Sequence, residues 1–209
     1  MIKLIIFDLD GVLVDAKEIH YEALNKALAL AGEKYVINRE EHLSIYDGNT
    51  SVEKLKLLTK NKGLPYELHQ EIWETKQGFS SSMIDEFERD DRLVEVLKRL
   101  RSDGYILACA TNSIRYSAKL QLIRRGFLKH IDILYTNQDV INPKPFSEMY
   151  LKCIIKAGVN TKETIILEDS PLGRYGARQT GAYVLDIEDS HDVTYEIIKD
   201  FIGGIDEKL

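Results

Sequence analysis

The first residues able to do chemistry are two aspartates separated by a single residue near the amino terminus. Asp8 and Asp10 come directly after an apolar run, Leu4–Phe7. In α/β proteins, ligands bind where the carboxyl ends of strands open into loops. Side chains at positions i and i+2 of an extended segment lie on the same side, and two neighbouring carboxylates repel each other unless a cation or a shared proton relieves them. The pair therefore predicts a divalent-metal site. Two solvated loop aspartates, the alternative, would need no apolar strand before them.

Further polar side chains lie at the ends of later apolar runs. Thr111 and Asn112 offer a hydroxyl group and backbone N–H groups, which suit phosphate oxygens. Lys144 stands between two prolines, and Glu168 and Asp169 form a second acidic pair. Each feature alone has a structural explanation, namely a helix cap, an exposed lysine or an acidic turn. Their occurrence together, at successive strand ends, makes the combined pattern specific.

Short apolar runs that alternate with amphipathic stretches must position these side chains. The predicted strands are Ile2–Phe7, Tyr105–Ala110, Ile131–Tyr135, Thr164–Leu167 and Ala182–Leu185. The runs are continuous rather than alternating, as expected when both faces of a parallel sheet are covered. The sequence therefore predicts an α/β fold, a Rossmann-like parallel sheet core with helices on both faces.

One long stretch breaks this alternation, because residues 16–87 contain no convincing strand. Apolar residues recur there at helical spacing, as in Ile19, Ala23, Ala27 and Leu30, or in Val52, Leu55 and Leu58. Roughly seventy helical residues exceed what one crossover connection needs. We therefore predict an inserted all-helical cap subdomain at 16–87 and a core formed by 1–15 and 88–209. The alternative is that these helices simply cover one face of the sheet.

Composition limits the partners of the chain. Its 209 residues are 44% hydrophobic and 30% charged, and the formal net charge is −6. This balance is ordinary for a globular protein and argues against binding nucleic acid or an anionic membrane surface through bulk electrostatics. We predict no secretory signal segment and no membrane span. The cysteines, Cys109 and Cys153, are expected to be reduced thiols of a cytoplasmic protein. The oligomeric state is left open.

In combination and in this order, the strand-end motifs resemble those of the haloacid dehalogenase superfamily. The motifs are the aspartate pair Asp8 and Asp10, the hydroxyl residue Thr111, the lysine Lys144, and the acidic pair Glu168 and Asp169. The resemblance runs over essentially the whole chain, and the helical insert is similar to the smaller helical cap of that family.

This resemblance implies phosphoryl-transfer chemistry. Asp8 would be the nucleophile that forms an aspartyl-phosphate, and Asp10 would be the general acid and base. Lys144, Thr111 and the backbone N–H of Asn112 would offset charge on the phosphoryl oxygens. Members of the family that cleave carbon–halogen or carbon–phosphorus bonds lack the second aspartate. The presence of Asp10 therefore favours a phosphoric monoester hydrolase.

The resemblance also implies a magnesium cofactor. Mg²⁺ would bind the Asp8 carboxylate, the backbone carbonyl of Asp10 and Asp169, with waters and the substrate phosphate completing an octahedron. Glu168 is implied as a partner of the bound waters.

Within the family, the cap resembles that of β-phosphoglucomutase and the sugar-phosphate phosphatases. His20 and Lys76 stand where those relatives have a histidine near the active site and a cap lysine, although a surface role for either is also compatible with the sequence. Ser51 stands where that branch has a phosphate-binding arginine. Loss of the arginine favours hydrolysis of a small phosphorylated substrate, such as a sugar phosphate. A β-phosphoglucomutase-like phosphomutase is the alternative, and a catalytically silent binding or regulatory protein is a third possibility.

Overall fold

Five parallel strands form the centre of the protein, whose residues 1–207 are described by a computed structural model. The strands are β1 (Leu4–Phe7), β2 (Ile106–Thr111), β3 (Ile133–Thr136), β4 (Thr164–Glu168) and β5 (Tyr183–Asp186). Their order across the sheet is β3-β2-β1-β4-β5, and every neighbouring pair is parallel. The predicted α/β fold with a Rossmann-like parallel sheet is confirmed.

The strands lie slightly later in the chain than predicted. All except β4 begin one or two residues further on, and all except β1 end one residue further on. Thr111 pairs with Thr136 and Glu168 pairs with Asp186 at the ends of the ladders. Backbone hydrogen bonding in a ladder does not depend on the polarity of the side chain, so polar residues extend these strands. Thr111 and Glu168 are therefore held by the sheet itself rather than by a loop.

Helices occupy the connections between the strands. They are α1 (Lys17–Ala31), α2 (Arg39–Glu41), α3 (Ser51–Lys62), α4 (His69–Asp85), α5 (Asp91–Ser102), α6 (Arg115–Arg124), α7 (Glu148–Ala157), α8 (Pro171–Arg178) and α9 (Tyr195–Asp206). A π-helical turn covers His42–Tyr46. Short 3₁₀ turns cover Glu33–Tyr35, Tyr66–Leu68, Leu128–His130, Asn137–Asp139, Thr161–Glu163 and Ser190–Asp192.

Side chains of the central strand β1 alternate between two buried clusters. Ile5 and Phe7 pack on one face of the sheet with residues of α5, α6 and α9, whereas Leu4 and Ile6 pack on the other face with residues of α7 and α8. Each of these four side chains is fully buried, which contributes about 1.5–3 kcal/mol per side chain. Strand β1 is therefore a rigid support for Asp8, which follows it directly.

A third buried cluster lies within the helical insert. It consists of Leu24, Ala27, Leu28, Tyr35, Ile37, Tyr46, Leu55, Leu58, Leu64 and Ile72. A buried cluster of its own is what a subdomain is expected to have. The subdomain boundaries at 16–87 stay a prediction. Two residues predicted on apolar stripes are exposed instead, Leu30 at 76% and Val52 at 50%. Leu30 lies in the last turn of α1, and Val52 lines a cavity described below.

Two further predictions concern membrane-spanning helices and the state of the cysteines. Within residues 1–207, no helix is both long enough and apolar enough to cross a membrane. Cys109 and Cys153 are buried free thiols.

Candidate active site

Asp8 and Lys144 form an ion pair at the carboxyl edge of the sheet. The backbone N–H of Asp8 donates to the Leu167 carbonyl at 3.0 Å, which fixes the residue between β1 and β4. Lys144 Nζ lies 2.5 Å from Asp8 Oδ1 and also donates to Glu168 Oε1. The backbone N–H of Lys144 donates to Asn112 Oδ1 at 3.0 Å. These contacts bring together residues from four separate segments of the chain.

Burial controls the charges of this pair. Burial and the Glu168 carboxylate raise the pKa of Asp8 to about 7, although Lys144 opposes the rise. Burial would lower the pKa of Lys144, but the carboxylates of Asp8 and Glu168 hold it well above the ordinary value. Lys144 therefore supplies the positive charge that compensates the buried carboxylates of Asp8 and Glu168.

Replacing Lys144 with methionine should lower the free energy of unfolding by about 3–5 kcal/mol in the absence of metal, because Asp8 and Glu168 lose their buried counter-charge. For a chain of this size, the melting temperature should fall by roughly 6–20 °C. Both carboxyl groups have folded pKa values above those of the unfolded chain, so protonation favours the folded state and the deficit should shrink as the pH falls from 8 to 5.

Thermal unfolding in the presence of chelator measures this effect. Lys156→Met, at an exposed position on α7, removes the same charge and should leave the melting temperature nearly unchanged. A Lys144→Met variant as stable as wild type at pH 8 would contradict the assignment.

Three buried carboxylates form a candidate metal centre. Asp8, Glu168 and Asp169 offer oxygen atoms that all lie within 4.8 Å of one another. Glu168 Oε2 and Asp169 Oδ1 are buried and receive no hydrogen bond from residues 1–207. Burial and the Asp8 charge raise the pKa of Asp169 to about 6. A Cβ at Gly11 would lie only 2.2 Å from Asp169 Oδ2, so any side chain at position 11 would displace the Asp169 carboxylate. Clustered carboxylates with buried oxygen atoms that receive no hydrogen bond fit Mg²⁺.

Lys17 is a further charged residue at this centre. Its ammonium pairs with Asp169 Oδ2, and its side chain is 36% exposed. Burial would lower the pKa of Lys17, but the pairing with Asp169 raises it overall. Lys17 therefore partly neutralises the acidic cluster from the start of α1.

Asp10 belongs to a different group of side chains. His20 Nε2 lies 3.0 Å from Asp10 Oδ1, Gln121 Nε2 donates to the same oxygen at 3.1 Å, and Ser113 Oγ donates to Oδ2 at 2.7 Å. Burial would raise the pKa of Asp10, but His20, Ser113 and Gln121 hold it well below the ordinary value. Of the two predicted aspartates, only Asp8 contributes its carboxylate to the acidic cluster. Metal binding by Asp10 would have to use its backbone carbonyl.

Thr111 and Asn112 lie at the end of β2, as the sequence predicts, and both line the cavity. The buried Thr111 hydroxyl accepts from the backbone N–H of Ser113 at 3.0 Å. The Asn112 side chain donates to the Gly48 carbonyl at 3.0 Å and to the Lys144 carbonyl at 3.1 Å. Asn112 therefore connects the carboxyl edge of the sheet to the helical insert.

The helical insert closes the site from the opposite side. His20 and Lys76 both line the cavity that contains Asp8, and Lys76 Nζ lies 3.4 Å from His20 Nδ1. Ser51 lines the same cavity, as does Lys54 one helical turn further along α3. The cavity volume is about 90 Å³, below the roughly 300–1,000 Å³ of typical ligand pockets. The helices of the insert therefore leave little free volume beside Asp8.

Sequence reasoning missed several residues of this site. Lys17 and Lys54 are surface-type residues in helices, and no short motif marks them. Gln121 and Ser113 reach Asp10 from the segment after β2. Tyr150, on α7, donates to Glu168 Oε1. For Lys54 a signal did exist, because a residue three positions after Ser51 shares its helix face.

The parallel sheet, the acidic cluster and the ion pair of Asp8 with Lys144 together point to a known class of hydrolase. The chain belongs to the haloacid dehalogenase-like hydrolase family, whose model matches residues 5–187.

Individual relatives are more distant. The chain is 25% identical over 177 residues to a phosphorylated carbohydrates phosphatase of Thermotoga maritima, covering 85% of this chain and 81% of the relative. It is 24% identical over 183 residues to the fructose-1-phosphate phosphatase of Escherichia coli, covering 88% and 95%. A crystal structure of β-phosphoglucomutase from Clostridium difficile has the same fold, with a TM-score of 0.84, 23% identity and 98% coverage of both chains.

Proposed function

We propose that the protein is a Mg²⁺-dependent phosphatase that hydrolyses a small phosphate monoester, such as a sugar phosphate, through an aspartyl-phosphate on Asp8. The observation that carries this proposal is the buried Asp8 carboxylate at the end of β1, 2.5 Å from the Lys144 ammonium and within 4.8 Å of two further carboxylates. The relatives from T. maritima and E. coli are phosphatases of phosphorylated carbohydrates and of fructose 1-phosphate, which supports the substrate class.

In the first step, an Asp8 oxygen attacks phosphorus, the bond to the substrate oxygen breaks, and the leaving alkoxide takes a proton. The donor is Asp10 in its protonated form, acting as general acid, with His20 Nε2 lying 3.0 Å from its Oδ1. The Lys144 ammonium, the Thr111 hydroxyl and backbone N–H groups after β2 offset the charge on the phosphoryl oxygens.

In the second step, water attacks phosphorus of the aspartyl-phosphate. Asp10 takes a proton from this water, the bond between phosphorus and the Asp8 oxygen breaks, and inorganic phosphate leaves with Asp8 restored as a carboxylate. Asp10 is ionised after it has given its proton in the first step, and His20, Ser113 and Gln121, which lower its pKa, stabilise this form.

Asp8 and Asp169 would hold the Mg²⁺ ion, with the backbone carbonyl of Asp10 and with Glu168 beside its waters. When bound, the ion supplies positive charge that offsets the phosphate and the acidic cluster. The cluster itself stays buried and excludes bulk water.

Hexose 1-phosphates offered to the enzyme with Mg²⁺ should yield free sugar and inorganic phosphate rather than the 6-phosphate isomer. The cap has Ser51, not an arginine, at the position that would clamp a second phosphate bidentately, and charge-assisted bidentate contacts are about twice as strong as neutral ones. Phosphorus NMR of the reaction mixture, beside an aryl phosphate assay, measures both products. Isomer that accumulates faster than inorganic phosphate would make the phosphomutase alternative correct, and no phosphate release from any substrate would favour a binding or regulatory protein.

One observation keeps the phosphomutase alternative open. Lys54 brings a cation into the cavity from the same helix as Ser51. A second phosphate therefore has a candidate partner on the cap, although a single ammonium grips it less firmly than a guanidinium fork.

A further inference from the structure

Lys17, the first residue of α1, connects the helical insert to the acidic cluster of the core. Its ammonium pairs with Asp169 Oδ2, whereas Asp169 Oδ1 receives no hydrogen bond from residues 1–207. The pair is closely packed, because a Cβ at Gly11 would lie 2.6 Å from Lys17 Cε and 2.2 Å from Asp169 Oδ2. The Asp169 side chain is 1% exposed. Lys17 therefore places a cation of the insert on a buried carboxylate of the candidate metal centre.

The Asp169 carboxylate does not serve Lys17 and a divalent ion equally well. Mg²⁺ binds carboxylate oxygens at about 2.0–2.1 Å and demands a nearly ideal octahedron of ligands. Even if the two cations took different oxygens of Asp169, the ammonium would lie within a few ångströms of a double positive charge. Repulsion between like charges is strong where burial limits screening by water and salt. Lys17 and Mg²⁺ therefore weaken each other's contact with Asp169.

Lys17 also has acidic neighbours besides Asp169. The charges of Asp47 and Asp8 attract its ammonium as well. Asp47 directly follows the π-helical turn of the insert, whereas Asp169 directly follows β4 of the core. An ammonium displaced from Asp169 is therefore still attracted by a carboxylate of the insert itself.

We propose that Lys17 regulates metal loading: its ammonium and Mg²⁺ compete for Asp169, so that metal binding releases the start of α1 from the core. The inference rests on the proposed function, which takes Mg²⁺ as the ion of this site, and deepens it by naming how the site is regulated. Coupling between two binding events is reciprocal. Lys17 therefore lowers the affinity for Mg²⁺ by the same factor by which Mg²⁺ weakens the pair of Lys17 with Asp169.

Lys17→Met should bind Mg²⁺ about 5- to 30-fold more tightly than wild type, as measured by calorimetric titration of chelator-treated protein without substrate. Couplings of this kind typically amount to about 5- to 150-fold, and the partial exposure of Lys17 places this one in the lower part of the range. Lys17→Arg keeps the charge and should bind Mg²⁺ no more tightly than wild type. Lys26→Met removes a lysine from an exposed position on the same helix and should change the affinity by less than about twofold.

Thermal unfolding and hydrogen exchange test the release of α1. In chelator, Lys17→Met should melt about 2–8 °C below wild type, because Asp169 loses its counter-charge. In saturating Mg²⁺ the difference should fall below about 1 °C, since the metal has already broken the pair. A lysine with a merely structural role would lower the melting temperature under both conditions. Amides of the first two turns of α1 should exchange faster with Mg²⁺ in wild type, and equally fast with and without Mg²⁺ in Lys17→Met.

The possible failures are distinguishable, because none of these measurements needs a substrate. If neither wild type nor Lys17→Met binds Mg²⁺, the proposed metal-dependent function is contradicted, and this inference with it. If both bind Mg²⁺ with equal affinity, or if the melting difference persists in saturating Mg²⁺, the role of Lys17 is overturned and the phosphatase function stands. Exchange in α1 of wild type that is unchanged or slower with Mg²⁺ would likewise overturn the release of α1.

Discussion

Replacing Asp8 with asparagine should reduce the rate of phosphate release by about four to six orders of magnitude, the range seen when a covalent nucleophile or its partner is removed. An amide does not attack phosphorus as a carboxylate does, so the aspartyl-phosphate does not form. The loss should appear with every substrate, because it concerns the reacting bond rather than recognition.

The same variant should fold normally. Burial and the Glu168 charge raise the pKa of Asp8 to about 7, above the unfolded value, so above pH 4 the charge of Asp8 costs stability. A neutral amide should therefore keep or raise the melting temperature when metal is absent. Asp200→Asn, at an exposed position on α9, is the matched control and should retain wild-type activity. Near-normal turnover in folded Asp8→Asn protein would exclude Asp8 as the nucleophile.

Removal of divalent metal should lower the rate by at least about three orders of magnitude, because several kcal/mol of charge stabilisation are lost. Magnesium should restore activity. Calcium should inhibit, since it prefers more oxygen ligands at longer distances than a compact carboxylate site provides. Titration of chelator-treated enzyme with each ion measures both effects.

Magnesium should also raise the melting temperature, because the ion binds the folded protein and relieves repulsion among Asp8, Glu168 and Asp169. Asp169→Asn should need more Mg²⁺ for both activity and stabilisation, whereas Asp206→Asn, at an exposed position on α9, should not. A rate that persists unchanged in excess chelator would refute the metal requirement.

The parts of this protein that sequence reasoning predicted correctly depend on short-range patterns. The apolar runs before Asp8 and near Thr111 are local signals, and parallel strands bring their carboxyl ends to one edge of a sheet whatever the details of packing. The family resemblance supplied Lys144, which the prolines around it do not by themselves place in the site. Errors in strand bounds were small, because hydrogen bonding in the ladder carries Thr111 and Glu168 into the strands.

Contacts between the insert and the core were harder to predict. Lys54 and Lys17 face the site only because of how the helices are oriented over the sheet, and a spacing pattern within one helix does not contain that orientation. The argument from Ser51 considered one position and missed the cation three residues later. Likewise, the sequence paired Asp10 with Asp8, whereas the folded protein pairs its carboxylate with His20.

The Asn112 side chain has a consequence for how such enzymes diversify. It joins the core to the insert through the carbonyl oxygen of Gly48, a main-chain atom that every residue type possesses. The contact constrains the backbone conformation of residue 48, whose φ is +72°, but not the chemistry of the side chains around it. Side chains at neighbouring positions of the insert can therefore change while this contact between insert and core is kept. Substitutions in the insert can therefore change which metabolite is accepted, while the core residues that cleave the bond stay the same.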